Sequence, residues 1–384
     1  MSRLLIDRPV HVVGIGLHKY QFPSDTPYVT LGLTAVREAL ADAGLEWKQI
    51  PLAVVGTGAI GMAAGRVMLR HLGSTGLEVQ QVENASASGS TALRVACLQV
   101  AAGEHDVALA LGVDKHGDAR RAANKDGLTP LSPTANVPLV KFALLARRLM
   151  REMGLTIEDL AAVAVKNHGN AALNPYAQFR KPRTMEQVMG AAKVAGDLTG
   201  LQCTPRGEGA AAVIVASDAA IRRLGLDRRR AVRVVSSVST SERLADDAPP
   251  GVPPIVDMVG VSSRLALDAA GVGANELDLV ELHDAFSIEE IVYSEAIGVC
   301  AHGEGARYLR SGASAIGGRC AINASGGLIG MGHPIGPTGV GQVAEIVRQL
   351  RGEATGRQHP NARLALAHMI GLGNVAVAHV LRRA

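Results

Sequence analysis

The nine residues Val82-Glu83-Asn84-Ala85-Ser86-Ala87-Ser88-Gly89-Ser90 join a β-prone stretch, 77–81, to an Ala/Leu/Val-rich run that reads as a buried helix to Ala101. A strand turning through small residues into a helix marks an α/β unit at this point of the chain. It also sets one side chain at a helix N-terminus, where orphan N–H groups and the positive dipole end stabilise a developing anion. That geometry suits a nucleophile with an oxyanion donor beside it. A Ser/Gly loop that merely caps a core helix has the same composition, so this stretch alone leaves both readings open.

The rest of the composition limits the class. At 384 residues the chain has room for two domains or one large two-lobed unit, each with a substantial core. Hydrophobic residues at 47% exclude a disordered tail protein. Aromatics reach only 3%, so the core is expected to be packed from small aliphatic side chains. The formal charge of +4 is modest, and Arg222-Arg223 and Arg228-Arg229-Arg230 lack interleaved aromatics, which argues against nucleic acid. These arginines read as a solvated helix end or linker, with the phosphates of an anionic cofactor as the sharper alternative. Cys97, Cys203, Cys300 and Cys320 are widely spaced without a C-x-x-C pair, so neither a metal site nor a disulfide framework is expected, and a reducing cytoplasm is the expected compartment. No apolar run approaches the ~18 residues of a membrane span, and Met1–Asp7 has no hydrophobic signal region.

Strand and helix patterns alternate along the chain. Val10–Gly16 reads as a buried strand ending in a glycine turn. Its Gly14-Ile15-Gly16 is not a dinucleotide fingerprint, because position 19 is Lys19 rather than glycine. A helix is expected over 30–43, closed by Gly44, followed by strands over 50–58 and 107–113. From about His116 to Cys203, Arg, Lys and Asn increase, Pro130, Pro133 and Pro138 punctuate the chain, and helical runs are expected over 140–153 and 156–172. This segment reads as an insertion of the first lobe, serving as a substrate lid or an oligomer-contact arm. Gly207–Ala216 returns to a buried strand, and Arg222–Ala231 is the most linker-like interval. The expected division is therefore residues 1–230 and 231–384. The second part repeats the rhythm weakly, with strands at 232–238 and 277–282 and a helix at 262–270 ended by Gly271.

Two later stretches place histidines at turns. Glu281-Leu282-His283-Asp284-Ala285-Phe286-Ser287 follows an apolar strand and precedes a helix at 288–297, so His283 can present an imidazole N–H to a carbonyl oxygen or act only as a local cap. Asn323-Ala324-Ser325-Gly326-Gly327 leads into Gly330-Met331-Gly332-His333-Pro334-Ile335-Gly336-Pro337-Thr338-Gly339 and a helix at 340–350. Glycines on both sides of His333 let backbone and a bulky substrate approach closely. The chain closes with a strand at 364–367, a turn carrying His368-Met369-Ile370-Gly371, and a further strand.

Asn84–Ser90 resembles the nucleophile motif of the thiolase superfamily, N-x-C-x-[ST]-G-S, with Ser86 where that family carries its reactive cysteine. The His283 stretch is similar to H-D-[AC]-F, the His333 stretch to N-x-S-G-G…G-H-P-x-G-x-T-G, and 368–373 to the family's carboxyl-terminal loop. The resemblance covers nearly the whole chain and is strongest to sterol-carrier-protein-x and lipid-transfer-type thiolases. It implies a five-layer αβαβα fold of two duplicated βαβαβαββ halves, with a loop-domain insertion at about 116–203. It further implies a coenzyme A thioester as substrate, no covalently bound cofactor or metal, a homodimer or dimer of dimers, and a small zinc-ribbon/OB-fold (DUF35) partner. By the same resemblance His333 activates Ser86, and His283 helps hold an enolate. Gly371 pairs its N–H with that of Ser86 as an oxyanion hole, while Asn323 and His368 support the site.

Three departures bear on mechanism. A serine hydroxyl is a weaker nucleophile than a thiolate and needs a positioned base in every turnover. Ala285 and Met369 stand where such enzymes keep acid/base cysteines, and neither side chain transfers a proton. No carboxylate is evident in the sequence to orient His333. Acyl transfer to coenzyme A, retro-aldol cleavage of a β-hydroxyacyl-CoA without covalent attachment, and a non-catalytic acyl-CoA-binding subunit all remain open on the sequence.

Overall fold

A computed structural model of the chain describes residues 4–116, 137–244, 247 and 249–383, so Pro130 and Pro133 lie outside the described residues. Among them run strands β1 (Val10–Gln21), β2 (Leu52–Gly56), β3 (Glu78–Val82), β4 (Val107–Asp114), β5 (Lys193–Ala195), β6 (Leu198–Thr199), β7 (Glu208–Ser217), β8 (Val232–Ser241), β9 (Leu279–Glu281), β10 (Ala321–Ile322), β11 (Leu364–Gly371) and β12 (Val375–Arg383). All but β5 and β6 join one sheet in the order β10-β9-β11-β12-β8-β1-β7-β4-β2-β3. Read outward from the centre, β1-β7-β4-β2-β3 and β8-β12-β11-β9-β10 are the same arrangement. In both, the two inner pairings are antiparallel and the two outer ones parallel. They meet where Val10–Val12 pair with Val232–Val234. The weak rhythm in the sequence is thus a full duplication of topology.

Strand alternation places helices on both sides of each half-sheet. Ala53 and Val55 of β2 turn outward with Ile214 of β7 and bury the helix Tyr28–Ala43 through Leu31 and Val36. Leu52 and Val54 turn the other way, with Val213 and Val215, onto the helices Ser88–Ala102 and Thr338–Arg351. In the second half Ala365 and Ala367 of β11 face this same central layer, while Leu364 and Leu366 face the helices Pro254–Ala270 and Ser287–Ile297. Three apolar clusters between five layers give the αβαβα architecture. The helix Thr338–Arg351 is buried from Thr338 to Leu350, which fits an element packed between the two half-sheets rather than on a surface.

Glycine brings the two central helix N-termini together. A Cβ at Gly89 would lie 2.3 Å from the Gly336 carbonyl oxygen, so no larger residue allows this approach. The turn before one helix carries Ser86 and the loop before the other carries His333, and their meeting places the chemistry of the chain at one point.

Several boundaries differ from those read in the sequence. The helix expected from Ser262 begins at Pro254, where proline suits the first helical turn and Gly271 closes the far end in the left-handed conformation. The last turn is shorter than expected, because His368–Gly371 continue β11 and pair with Val375–Ala378. The excursion between β4 and β7 is packed into the second half: Leu160, Val163 and Ala164 of the helix Ile157–Ala172 join the cluster that contains Ile288 and Leu366. The Arg222–Arg230 interval is engaged in ion pairs. Arg223 meets Asp106 at 2.7 Å, Arg228 meets Asp218, and Arg230 meets Asp42 at 2.7 Å and Glu353 at 2.9 Å. Among the described residues no helix is long and apolar enough to cross a membrane.

Candidate active site

Ser86 sits on a tight turn between β3 and the helix Ser88–Ala102. Ala85 adopts φ 48°, in the left-handed region that costs an alanine roughly 1–2 kcal/mol. Ser88 holds the turn: its hydroxyl donates to the Ala85 carbonyl at 2.6 Å and accepts from the Asn84 N–H at 2.9 Å. The Asn84 amide donates to Thr91 Oγ1 at 2.9 Å, tying the turn to the helix. Gly371 at the end of β11 lies against this turn, where a Cβ would come within 2.1 Å of the Asn84 carbonyl oxygen. The two residues assigned to an oxyanion hole, Ser86 and Gly371, therefore belong to adjacent backbone segments.

His333 Nε2 lies 2.9 Å from Ser86 Oγ, across 247 residues of sequence. Its Nδ1 lies 2.8 Å from Thr338 Oγ1, and that hydroxyl donates to the Pro334 carbonyl at 2.5 Å. With its proton committed to Pro334, the Thr338 oxygen accepts from His333 Nδ1–H. Nε2 then presents a lone pair to the serine hydroxyl, which is the tautomer a general base requires. The sequence suggested no carboxylate to orient His333, and the orienting group is this threonine. Replacing Thr338 with valine is expected to lower kcat on the order of tenfold by leaving an N–H unpaired, while Thr338→Ser retains activity; steady-state kinetics of the two variants check this.

His283 stands edge-on to His333, with ring centroids 5.5 Å apart and planes at 87°. Its Nδ1 is 3.0 Å from Glu289 Oε1. Glu289 is fully buried in the first turn of the helix Ser287–Ile297, and its other oxygen accepts the Phe286 N–H at 2.9 Å. The Ser-x-x-Glu capping signal in the sequence runs from Ser287 to Glu290, one residue past Glu289, so it does not disclose the carboxylate that backs His283. The neighbouring Asp284 turns away from the histidines. Its oxygens take Asn167 Nδ2 at 2.8 Å and the Leu328 N–H at 2.6 Å, and burial beside Glu290 holds its acid well above the usual carboxylate range.

Asn323, also in the left-handed region at φ 54°, accepts the Leu282 N–H at 2.8 Å through Oδ1 and so fixes the strand end that carries His283. His368 is fully buried with Nε2 2.7 Å from Ser262 Oγ. Burial, then the proximity of His283, push its imidazole down to about 3, so it is neutral at physiological pH. Asp114 at the end of β4 was not singled out by sequence. It accepts N–H groups from Gly58, Ala59 and Gly336, the last at 2.5 Å, and so pins the loop that carries His333. Burial pushes its acid up to about 6 against these donors.

None of the four cysteines offers a reactive thiol. Burial pushes Cys97, Cys203, Cys300 and Cys320 each up to about 12, leaving them protonated and inert. Among the described residues no group of three or more His, Cys, Asp or Glu could hold a metal ion. What remains is a hydroxyl with a base, a second histidine with a carboxylate, and two backbone segments beside the hydroxyl. This set suits attack on, or charge development at, a carbonyl.

Comparison with known proteins bears on the family and the fold. Residues 15–197 match the family described as thiolase, N-terminal domain, and residues 253–383 match thiolase C-terminal domain-like. The chain is 36% identical to human sterol carrier protein 2, covering 96% of this chain and 71% of that protein. It is 34% identical to the benzoylsuccinyl-CoA thiolase subunit BbsB of Thauera aromatica, covering 96% of each. The solved Ltp2-ChsH2(DUF35) aldolase superposes with a TM-score of 0.85 at 24% identity over 98% of each chain, a likeness that concerns the fold alone.

Proposed function

Because the chain belongs to the thiolase family, we propose that it makes or breaks a carbon–carbon bond next to the thioester carbonyl of an acyl-CoA, with Ser86 and His333 as nucleophile and base. The observation that carries this reading is the 2.9 Å contact of Ser86 Oγ with an Nε2 whose lone pair is set by Thr338. On a 3-ketoacyl-CoA, Ser86 Oγ adds to the keto carbon as its proton passes to His333 Nε2. The bond between keto carbon and α-carbon then breaks, its electron pair forms the thioester enolate, and an acyl ester remains on Ser86. The enolate takes a proton from the site at the α-carbon. A coenzyme A thiol then gives up its own proton to replace that one and displaces the acyl group, the Ser86 oxygen leaving with the proton held by His333. The backbone amides of Ser86 and Gly371 serve as the oxyanion hole for the addition.

A second reading is favoured by Ala285 and Met369, which supply no thiol where the family uses one, and by the aldolase of the same fold. In it a β-hydroxyacyl-CoA is cleaved by retro-aldol chemistry without attachment to Ser86, in company with a DUF35 partner. A non-catalytic acyl-CoA-binding subunit is the third reading, in keeping with BbsB being described as a subunit. The exposed edge of β3 fits pairing with a second copy in a homodimer, and a cytoplasmic location fits the reduced cysteines. Ser86→Ala tests the choice. Under the first reading 3-ketoacyl-CoA thiolysis falls by ~10³-fold or more. Unchanged cleavage of a 3-hydroxyacyl-CoA by that variant would instead establish the second.

A further inference from the structure

We propose that Glu289 is the positioning residue that makes His283 the proton donor of this site, in place of the thiols absent at Ala285 and Met369. This deepens the acyl-CoA reading and rests on it. Glu289 takes three donors: His283 Nδ1 at 3.0 Å and the Tyr293 hydroxyl at 2.9 Å on one oxygen, and the Phe286 N–H at 2.9 Å on the other. Tyr293 stays a donor, because burial and the adjacent carboxylate hold its phenol well above its ordinary range. Glu289 is set against the His283 ring, a contact that becomes an ion pair when the imidazole carries a second proton, whereas the adjacent Glu290 is paired with Lys166 Nζ at 3.0 Å. A buried carboxylate with only neutral donors is costly, and an imidazolium at 283 supplies the balancing charge. Asp284, the nearer carboxylate in sequence, is fully engaged by Asn167 and Leu328 and does not serve this purpose.

The step balances within the site. Imidazolium 283 gives its Nε2 proton to the α-carbon of the thioester enolate. The enolate electron pair forms the new C–H bond, the N–H bond breaks, and a neutral imidazole remains with Nδ1–H on Glu289. In reverse, the same ring removes an α-proton from an acyl-CoA.

The test is exchange of the acetyl-CoA methyl protons in D2O, followed by NMR, for the wild type, Glu289→Gln, His283→Ala and the double variant. The wild type is expected to exchange, and Glu289→Gln to lose on the order of 10- to 100-fold, as when a histidine loses its orienting carboxylate. In the His283→Ala background, Glu289→Gln is expected to have no further effect. A merely structural Glu289 would lower exchange in both backgrounds, and that result overturns the role, as does absence of exchange in the wild type. Should a variant fail to fold, the wild type with 15N-labelled histidine still decides. A protected His283 Nδ1–H signal is expected, and an unprotonated Nδ1 contradicts the proposal. Equal exchange by the wild type and Glu289→Gln would remove this role and leave the acyl-CoA reading intact. That reading fails separately if the wild type turns over neither a 3-ketoacyl- nor a 3-hydroxyacyl-CoA.

Discussion

Alanine at position 333 lowers kcat on the acyl-CoA substrate by about 10²- to 10⁴-fold, the range of a lost general base. The fall comes from two linked causes. Ser86 Oγ loses the Nε2 acceptor at 2.9 Å that takes its proton, and the Thr338 hydroxyl loses the ring it orients. The loop itself survives, because Thr338 still donates to the Pro334 carbonyl and Asp114 still holds the Gly336 N–H. The expected signature is therefore a large loss in kcat with little change in KM, and a thermal midpoint close to that of the wild type. Kinetics and thermal denaturation of the same preparation check both halves. A drop in midpoint that accounts for the lost activity would assign His333 to structure instead.

Cysteine at position 86 has the opposite effect. The turn that ends in the helix Ser88–Ala102 places residue 86 near an N-terminal dipole end and beside His333, conditions that favour a thiolate. Sγ needs little space beyond Oγ on this half-buried turn. Thiolysis of a 3-ketoacyl-CoA is expected to rise about tenfold or more, equivalent to roughly 1.4 kcal/mol of barrier, because the thiolate no longer needs deprotonation within each turnover. The comparison of Ser86→Cys with the wild type under saturating coenzyme A reads this directly. A fall in thiolysis would mean that the pocket is shaped for the hydroxyl and for chemistry without an acyl-thiol stage.

What the sequence disclosed follows from which interactions are local. The strand–turn–helix around Ser86 was legible because small residues, a β-prone run and an Ala-rich helix are adjacent in the chain. The glycines about His333 were legible for the same reason. The duplication was faint, since the pairing of β1 with β8 joins residues more than 200 apart and leaves no local periodicity. The roles of Thr338 and Glu289 were hidden in a similar way. Each lies within six residues of the histidine it orients, but a turn between them sets the contact, and only the folded backbone shows that a threonine rather than a carboxylate backs His333. The Arg222–Arg230 cluster reads as a solvated helix end or linker, or as a seat for cofactor phosphates. The fold adds what the sequence does not show, that Arg223, Arg228 and Arg230 are paired with Asp106, Asp218, Asp42 and Glu353.

The central claim is that Ser86, activated by His333, carries an acyl group through the reaction. Rapid quenching of the enzyme with a 3-ketoacyl-CoA, followed by intact-protein mass spectrometry and peptide mapping, tests it most directly. The account predicts an added mass equal to one acyl group, located on Ser86 and absent in His333→Ala. Complete cleavage of the substrate with residue 86 unmodified at every quench time would contradict it.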